Sequence, residues 1–255
     1  MLPLKNLDRR HSFPAVTMIL VAINATVFAY ELSLPPESIR AFFMTYGLVP
    51  ANLAAGIAGS GPLLGPLISV FTSMFLHGGW LHILGNMWFL WVFGGDVEDH
   101  LGHLAYTGLY FAAGLGASIL QLAFSWDYNF PYIGASGAIS GVMAAFFLLF
   151  PHSRILTGLI GFWIRVRLPA FVLVGWWFLI QFASGMDSLH AHGPHGPEHG
   201  GTAFWAHVGG FVTGLLCALP KRLRDPDTAN FHPEDEPETY ATSWRDTSTT
   251  GRDGY

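Results

Sequence analysis

Charge is what this chain has least of. Only 11% of its 255 residues are Asp, Glu, Lys or Arg, against roughly 25% in soluble domains. Too few charges remain to clothe an ordinary water-facing surface, so a membrane class replaces the soluble globular one. Cysteine is nearly absent as well. Cys217 stands alone inside an apolar run, which excludes an intramolecular disulfide and leaves the redox compartment unread. No basic patch of the kind nucleic acid requires is present. The net charge of −5 comes mostly from the chain's end, where eight of the seventeen acidic residues lie after Arg224.

What the chain has in quantity is apolar sequence, 51% of the total. Crossing the hydrocarbon core takes about 20 apolar residues, within a range near 17–25. Six segments approach this: Ala15 to Leu34, Trp80 to Gly95, His103 to Phe124, Gly134 to Phe150, Leu168 to Gly185 and Thr202 to Leu219. The acidic cluster Asp96, Glu98 and Asp99 is expected to bound the second, Pro151 the fourth and Pro220 the sixth. The second, fourth and sixth are short or rich in glycine and polar residues, which predicts burial among neighbours. The leader MLPLKNLDRRHSFP is polar and basic, and no small-residue cleavage site closely follows the first run, so a retained span is expected. The expected organisation is an all-α membrane protein: a cytoplasmic segment 1–14, a six-transmembrane helix bundle 15–220 and a disordered acidic tail 221–255.

Orientation follows from lysine and arginine. Lys5, Arg9 and Arg10 precede the first span, Arg154, Arg165 and Arg167 lie between the fourth and fifth, and Lys221, Arg222 and Arg224 follow the sixth. An N-terminus inside puts all nine on the cytoplasmic side and leaves only Arg40 in the opposite loops. Both termini are therefore expected in the cytoplasm, in a multi-pass membrane protein. The first outer connection, residues 35–79, is long and partly apolar and needs structure of its own.

Polar groups at membrane depth are expensive and mark function by default. His82 and Asn86 lie four apart on one face of the second span. The fourth span opens Gly134-Ala135-Ser136-Gly137, and the sixth carries Ala206-His207-Val208-Gly209-Gly210. All three segments run from outside to inside, so His82, Asn86, Ser136 and His207 share one shallow depth below the outer surface. Gly137 with Gly141, and Gly210 with Gly214, form small-xxx-small patterns that let backbones approach closely. Such an approach brings Ser136 within reach of His207. A serine hydroxyl needs a base to become a nucleophile, and imidazole titrates near neutral pH. Asn86, His82 and the Ser136 N–H are candidate oxyanion donors. Asp127 and Asp187 are read as loop residues, and Glu31 sits near the outer end of the first span. A Ser–His dyad without a carboxylate is therefore expected. Taken singly, Ser136 is also a natural helix cap and Asn86 a natural interhelical bond.

His77-Gly78-Gly79-Trp80-Leu81-His82-Ile83-Leu84-Gly85-Asn86, then Gly134-Ala135-Ser136-Gly137, then Ala206-His207-Val208-Gly209-Gly210 resembles the rhomboid family of intramembrane serine proteases, in its bacterial form. The likeness covers roughly residues 15–220. It implies a six-helix fold of rhomboid type, Ser136 as nucleophile, His207 as general base, and His82, Asn86 and the Ser136 N–H as oxyanion hole. The implied partners are transmembrane protein substrates and the lipid bilayer, the implied chemistry uses no metal or cofactor, and the bacterial form implies a place in the bacterial cytoplasmic membrane. The likeness further suggests the fifth span as a gate, with Trp176, Trp177 and Phe178 closing against Trp88 or Phe89. Where some members carry a stacking tyrosine four residues after the nucleophile, this chain has Ser140, placed to hydrogen-bond instead. The alternatives are a catalytically inactive rhomboid-like factor that binds membrane proteins, and a channel or transporter. The histidine-rich stretch 190–199 reads as a polar loop, with metal binding or pH sensing as the sharper alternative.

Overall fold

The computed structural model describes residues 2–6, 12–159, 164–192 and 202–225. Six helices occupy the six apolar segments: α1 (Ala15–Ser33), α5 (Trp80–Leu101), α6 (His103–Phe124), α7 (Ser136–Leu149), α8 (Ala170–His192) and α9 (Phe204–Arg224). Three helices, α1, α6 and the Ala170–Leu189 part of α8, are long and apolar enough to cross a bilayer. The connection between α1 and α5 folds as α2 (Pro36–Tyr46), α3 (Pro50–Ile57), α4 (Leu64–Thr72) and a single 3₁₀ turn, Ser73–Phe75. The stretch Leu64–Phe75 meets α5 across a 78° bend, and the pair is apolar enough to form a broken span or a re-entrant loop. At 14 residues α7 is short. It is also buried from Gly137 through Phe146, as expected of a helix apolar on every face. Leu90, Phe93, Tyr106, Tyr110, Met143 and Phe146 fill the core around it, all at most 2% exposed.

Glycine sets how closely α9 lies against α6 and α7. A Cβ added at Gly210 would overlap the Gly137 carbonyl, one at Gly214 the Gly141 carbonyl, and one at Gly209 the Gly116 carbonyl. Backbone therefore rests directly on backbone along these seams, which only small residues allow.

Three boundaries differ from expectation. The acidic cluster does not end α5, which continues to Leu101. Glu98 is fully buried and accepts hydrogen bonds from the Val16 N–H at 2.7 Å, the Thr17 N–H at 2.8 Å, the Thr17 hydroxyl at 2.7 Å and His103 Nδ1 at 2.7 Å. It caps the start of α1, where backbone donors lack intrahelical partners and the helix dipole favours an anion. Pro220 does not stop α9 either. A proline deletes one helical hydrogen bond, a loss the last turns absorb near the helix end, and residues 221–224 of the expected tail complete α9.

The third difference is a small antiparallel sheet of β1 (Leu2–Asn6), β2 (Arg154–Leu159) and β3 (Ile164–Pro169) in the order β1-β2-β3. Leu156 pairs with Arg167 and Thr157 with Pro3. Ile155 and Thr157 point inward, fully buried, while Arg165 and Arg167 are exposed, the two-residue alternation of a half-buried strand. Asn6 Nδ2 donates to Asp96 at 3.0 Å and accepts at Oδ1 from the Ser153 hydroxyl at 2.8 Å, tying β1 to the end of α5. The expected tail beyond Asp225 and residues 193–199 of the histidine-rich stretch lie outside the described residues, as do the side chains of 190–192.

Candidate active site

Ser136 is the first residue of α7 and His207 lies in the first turn of α9. The glycine seams bring these two ends together, and His207 Nε2 lies 2.8 Å from Ser136 Oγ. On its other side, His207 Nδ1 lies 2.6 Å from Oε1 of Gln181 on α8. An amide oxygen can only accept, so Nδ1 carries the ring proton. Nε2 is then the free acceptor, facing the serine hydroxyl. The Ser140 hydroxyl lies 2.8 Å from both the His207 and the Gly137 carbonyls. It holds the backbone beneath the histidine, one turn below Ser136. Trp177 packs beside the imidazole, with ring centroids 5.7 Å apart and a tilt of 39°.

His82 and Asn86 face the same point from α5. The Gly78 N–H approaches His82 Nδ1 at 3.4 Å, which leaves Nε2 as the ring's donor on the Gly134 side. Gly134 has φ of +125°, a conformation that suits glycine. A Cβ there would lie 2.6 Å from His82 Nε2 and 3.6 Å from Asn86 Nδ2. Glycine at this position therefore does two things: it permits the turn into α7 and it clears the space in which two side-chain donors converge. If His82 serves as an oxyanion donor, as the resemblance implies, Gly134→Ala should cut turnover about 100-fold or more, the scale of losing one such donor, while the protein still folds. Steady-state kinetics on the purified variant checks this; near-normal turnover would mean that His82 is not needed where it stands.

Behind these donors lies a second set of contacts. Asn86 Nδ2 is 2.9 Å from His77 Nε2. The His77 N–H donates to the Glu31 carboxylate, at 3.1 Å to Oε1 and 3.4 Å to Oε2. Both residues are buried, Glu31 at 4% and His77 at 1% exposure. The acid of the first span thus anchors the turn that carries Asn86's partner.

The four predicted residues open onto one cavity of about 770 Å³, also lined by Phe43, Phe89 and Trp177. Tyr132 and Ile133 form part of its wall, held by paired backbone hydrogen bonds between Leu48 and Tyr132 at 2.8 and 3.0 Å. Trp176 stands apart from the cavity and is 55% exposed, while Phe178 stacks on Phe211. Of the expected gate aromatics, only Trp177 and Phe89 meet at the cavity. Asp187 lies within α8, not in a loop, and both it and Asp127 are exposed. Among the described residues no cluster of His, Cys, Asp or Glu could hold a metal ion. Gln181 is the site residue that spacing and motif did not single out, and His77 opens the quoted motif without having been given a role.

The family model described as the Rhomboid domain matches residues 65–223. The chain is 36% identical over 93 residues to "Rhomboid protein 1, mitochondrial" of Saccharomyces cerevisiae, covering 35% of this chain and 27% of the yeast protein. It is 29% identical over 172 residues to "RHOMBOID-like protein 1" of Arabidopsis thaliana, covering 68% of this chain and 39% of that one. It is 25% identical over 215 residues to the Bacillus subtilis protein named "Putative rhomboid protease YdcA", covering 83% of this chain and 92% of that one. The match thus spans well under half of the yeast and plant relatives and nearly all of the bacterial one.

Proposed function

The chain belongs to the rhomboid family, and from that premise we propose that this integral membrane protein is an intramembrane serine protease whose dyad is Ser136 and His207. The observation that carries the reading is the 2.8 Å contact between His207 Nε2 and Ser136 Oγ, in a cavity that His82 and Asn86 also line. A factor that only bound its clients would have no need of a base aligned on a serine hydroxyl.

The chemistry follows from the positions. As Ser136 Oγ attacks the scissile carbonyl, its proton passes to His207 Nε2. Negative charge grows on the carbonyl oxygen, and the donors aimed at it are Asn86 Nδ2, His82 Nε2 and the Ser136 N–H at the start of α7. His207 then protonates the leaving amine. It next takes a proton from a water that attacks the acyl-enzyme, and Ser136 is regenerated. No step requires a metal. The substrate is a membrane protein whose transmembrane segment is locally extended near the outer face, so that its carbonyl can reach Ser136. Residues 15–220 form the protease domain, with both termini cytoplasmic. Trp177, beside His207 and within the cavity wall, is the gate aromatic; Trp176 faces outward.

The test is reconstitution. The purified chain in lipid vesicles should cleave a single-span substrate near one membrane face and keep its full rate in excess EDTA. Intact substrate after prolonged incubation would favour the inactive, client-binding alternative, and loss of activity on chelation would contradict the metal-free mechanism.

A further inference from the structure

We propose that Gln181 is the positioning residue of the dyad, a neutral third member carried by α8 that fixes His207 for proton transfer. The proposal rests on the protease reading above. Its ground is geometric. Gln181 is 9% exposed, whereas its neighbours Leu179, Ile180 and Phe182 are 57%, 44% and 44% exposed. The one long polar side chain of this stretch is turned inward, and its oxygen meets His207 Nδ1 at 2.6 Å. This is the ring nitrogen opposite Ser136.

An imidazole on a flexible side chain has two tautomers and can turn about its Cβ–Cγ bond. Only one arrangement leaves a bare Nε2 facing the serine hydroxyl. The other contacts described do not select it. Ser140 holds the backbone carbonyl, not the ring, and Trp177 packs beside the ring without a hydrogen bond. Gln181 Oε1 alone names the proton-bearing nitrogen. When the Ser136 proton moves to Nε2, the ring becomes a cation, and the negative end of the amide dipole already points at it. The amide takes no proton itself; the Nδ1–H stays on the ring throughout.

The neutral side chain also suits its surroundings. A carboxylate at this depth would carry a desolvation cost that an amide avoids. The bland alternative is interhelical glue, since side-chain bonds between α8 and α9 stabilise a bundle modestly wherever they fall. Glue, however, has no reason to fall on the one atom that decides the tautomer. Gln181 belongs to the helix that also bears Trp177, so α8 contributes both to the cavity wall and to the hold on the base.

Substitutions of similar size separate orientation from packing. Gln181→Met fills the same space but offers no acceptor of comparable strength, while Gln181→Glu keeps an oxygen toward Nδ1 whether ionised or not. In vesicles, with a transmembrane substrate, Gln181→Met should lower kcat about 10- to 100-fold, the loss expected for a hydrogen bond to a group that becomes charged. KM should stay within about twofold, since an interaction made stronger only in the transition state falls on kcat. Gln181→Glu should restore most of the lost kcat. If Gln181→Met fails to fold, Gln181→Asn, too short by a methylene to reach Nδ1, carries the same expectation. Equal kcat in the Met, Glu and parent proteins, alongside an inactive Ser136→Ala, would overturn the role of Gln181 alone. Cleavage that persisted in Ser136→Ala would sink the protease reading and this proposal with it.

Discussion

Ser136→Ala should abolish cleavage of a transmembrane substrate, by about 10⁴-fold or more, while the protein folds and melts as before. The size follows from the part the hydroxyl plays. With the nucleophile gone, only the oxyanion donors and substrate binding remain, and in a triad protease these leave a small residue of the original rate. The fold should tolerate the change because alanine is an excellent helix former and the Ser136 side chain contributes no helix cap. His207→Ala should cost about as much, and the double variant no more than either single one, because residues that act as a unit do not lose rate additively. Cleavage of a fluorogenic single-span substrate by the three variants, beside their thermal melts, checks all of this. Additive losses would mean that the two residues act separately.

Gly210→Val should destroy activity by a different route. A Cβ at Gly210 meets the Gly137 carbonyl and lies 2.6 Å from Ser140 Oγ. One of these is backbone and the other is the hydroxyl that holds His207 from below. Neither yields without moving α9 away from α7. Overpacking a core usually costs about 1–3 kcal/mol and more where backbone must shift, so the expected loss is at the upper end or beyond. Separating the helices also separates Ser136 from His207, so whatever folds should be inactive. The control is Gly108→Ala, where an added Cβ meets nothing within 4 Å. It should keep full activity and a parental melting temperature. Thermal unfolding in detergent, run with the cleavage assay, decides the matter. A stable and active Gly210→Val would show that the seam does not set the spacing of the dyad.

How far the molecule could be read from its residues differs by element. The six helices follow from apolar run length, and all six lie where the runs are. The meeting of Ser136 with His207 was legible from small-residue spacing on two helices expected to run in the same direction. Gln181 bore a signal of the same kind as Asn86, a polar group at membrane depth, but it stands in no motif, and its partner lies 26 positions away. Only the fold says which way it points. Glu98 and Pro220 are terminators by residue type, yet neither ends its helix. The carboxylate of Glu98 is consumed by the start of α1, a contact across 81 residues, and Pro220 falls where a helix can spare a bond. The sheet was illegible for a plainer reason. Its strands are five or six residues long, and β1 lies in a leader whose polarity suggested no structure.

Activation of Ser136 by His207 can be tested directly without any knowledge of the natural substrate. The purified protein in detergent is treated with a fluorophosphonate, and the modified residue is located by peptide mass spectrometry. A single phosphonylated serine, Ser136, is expected, with labelling lost in His207→Ala and preserved in Gly108→Ala. Modification of another serine, or labelling of Ser136 at an unchanged rate without His207, would contradict it.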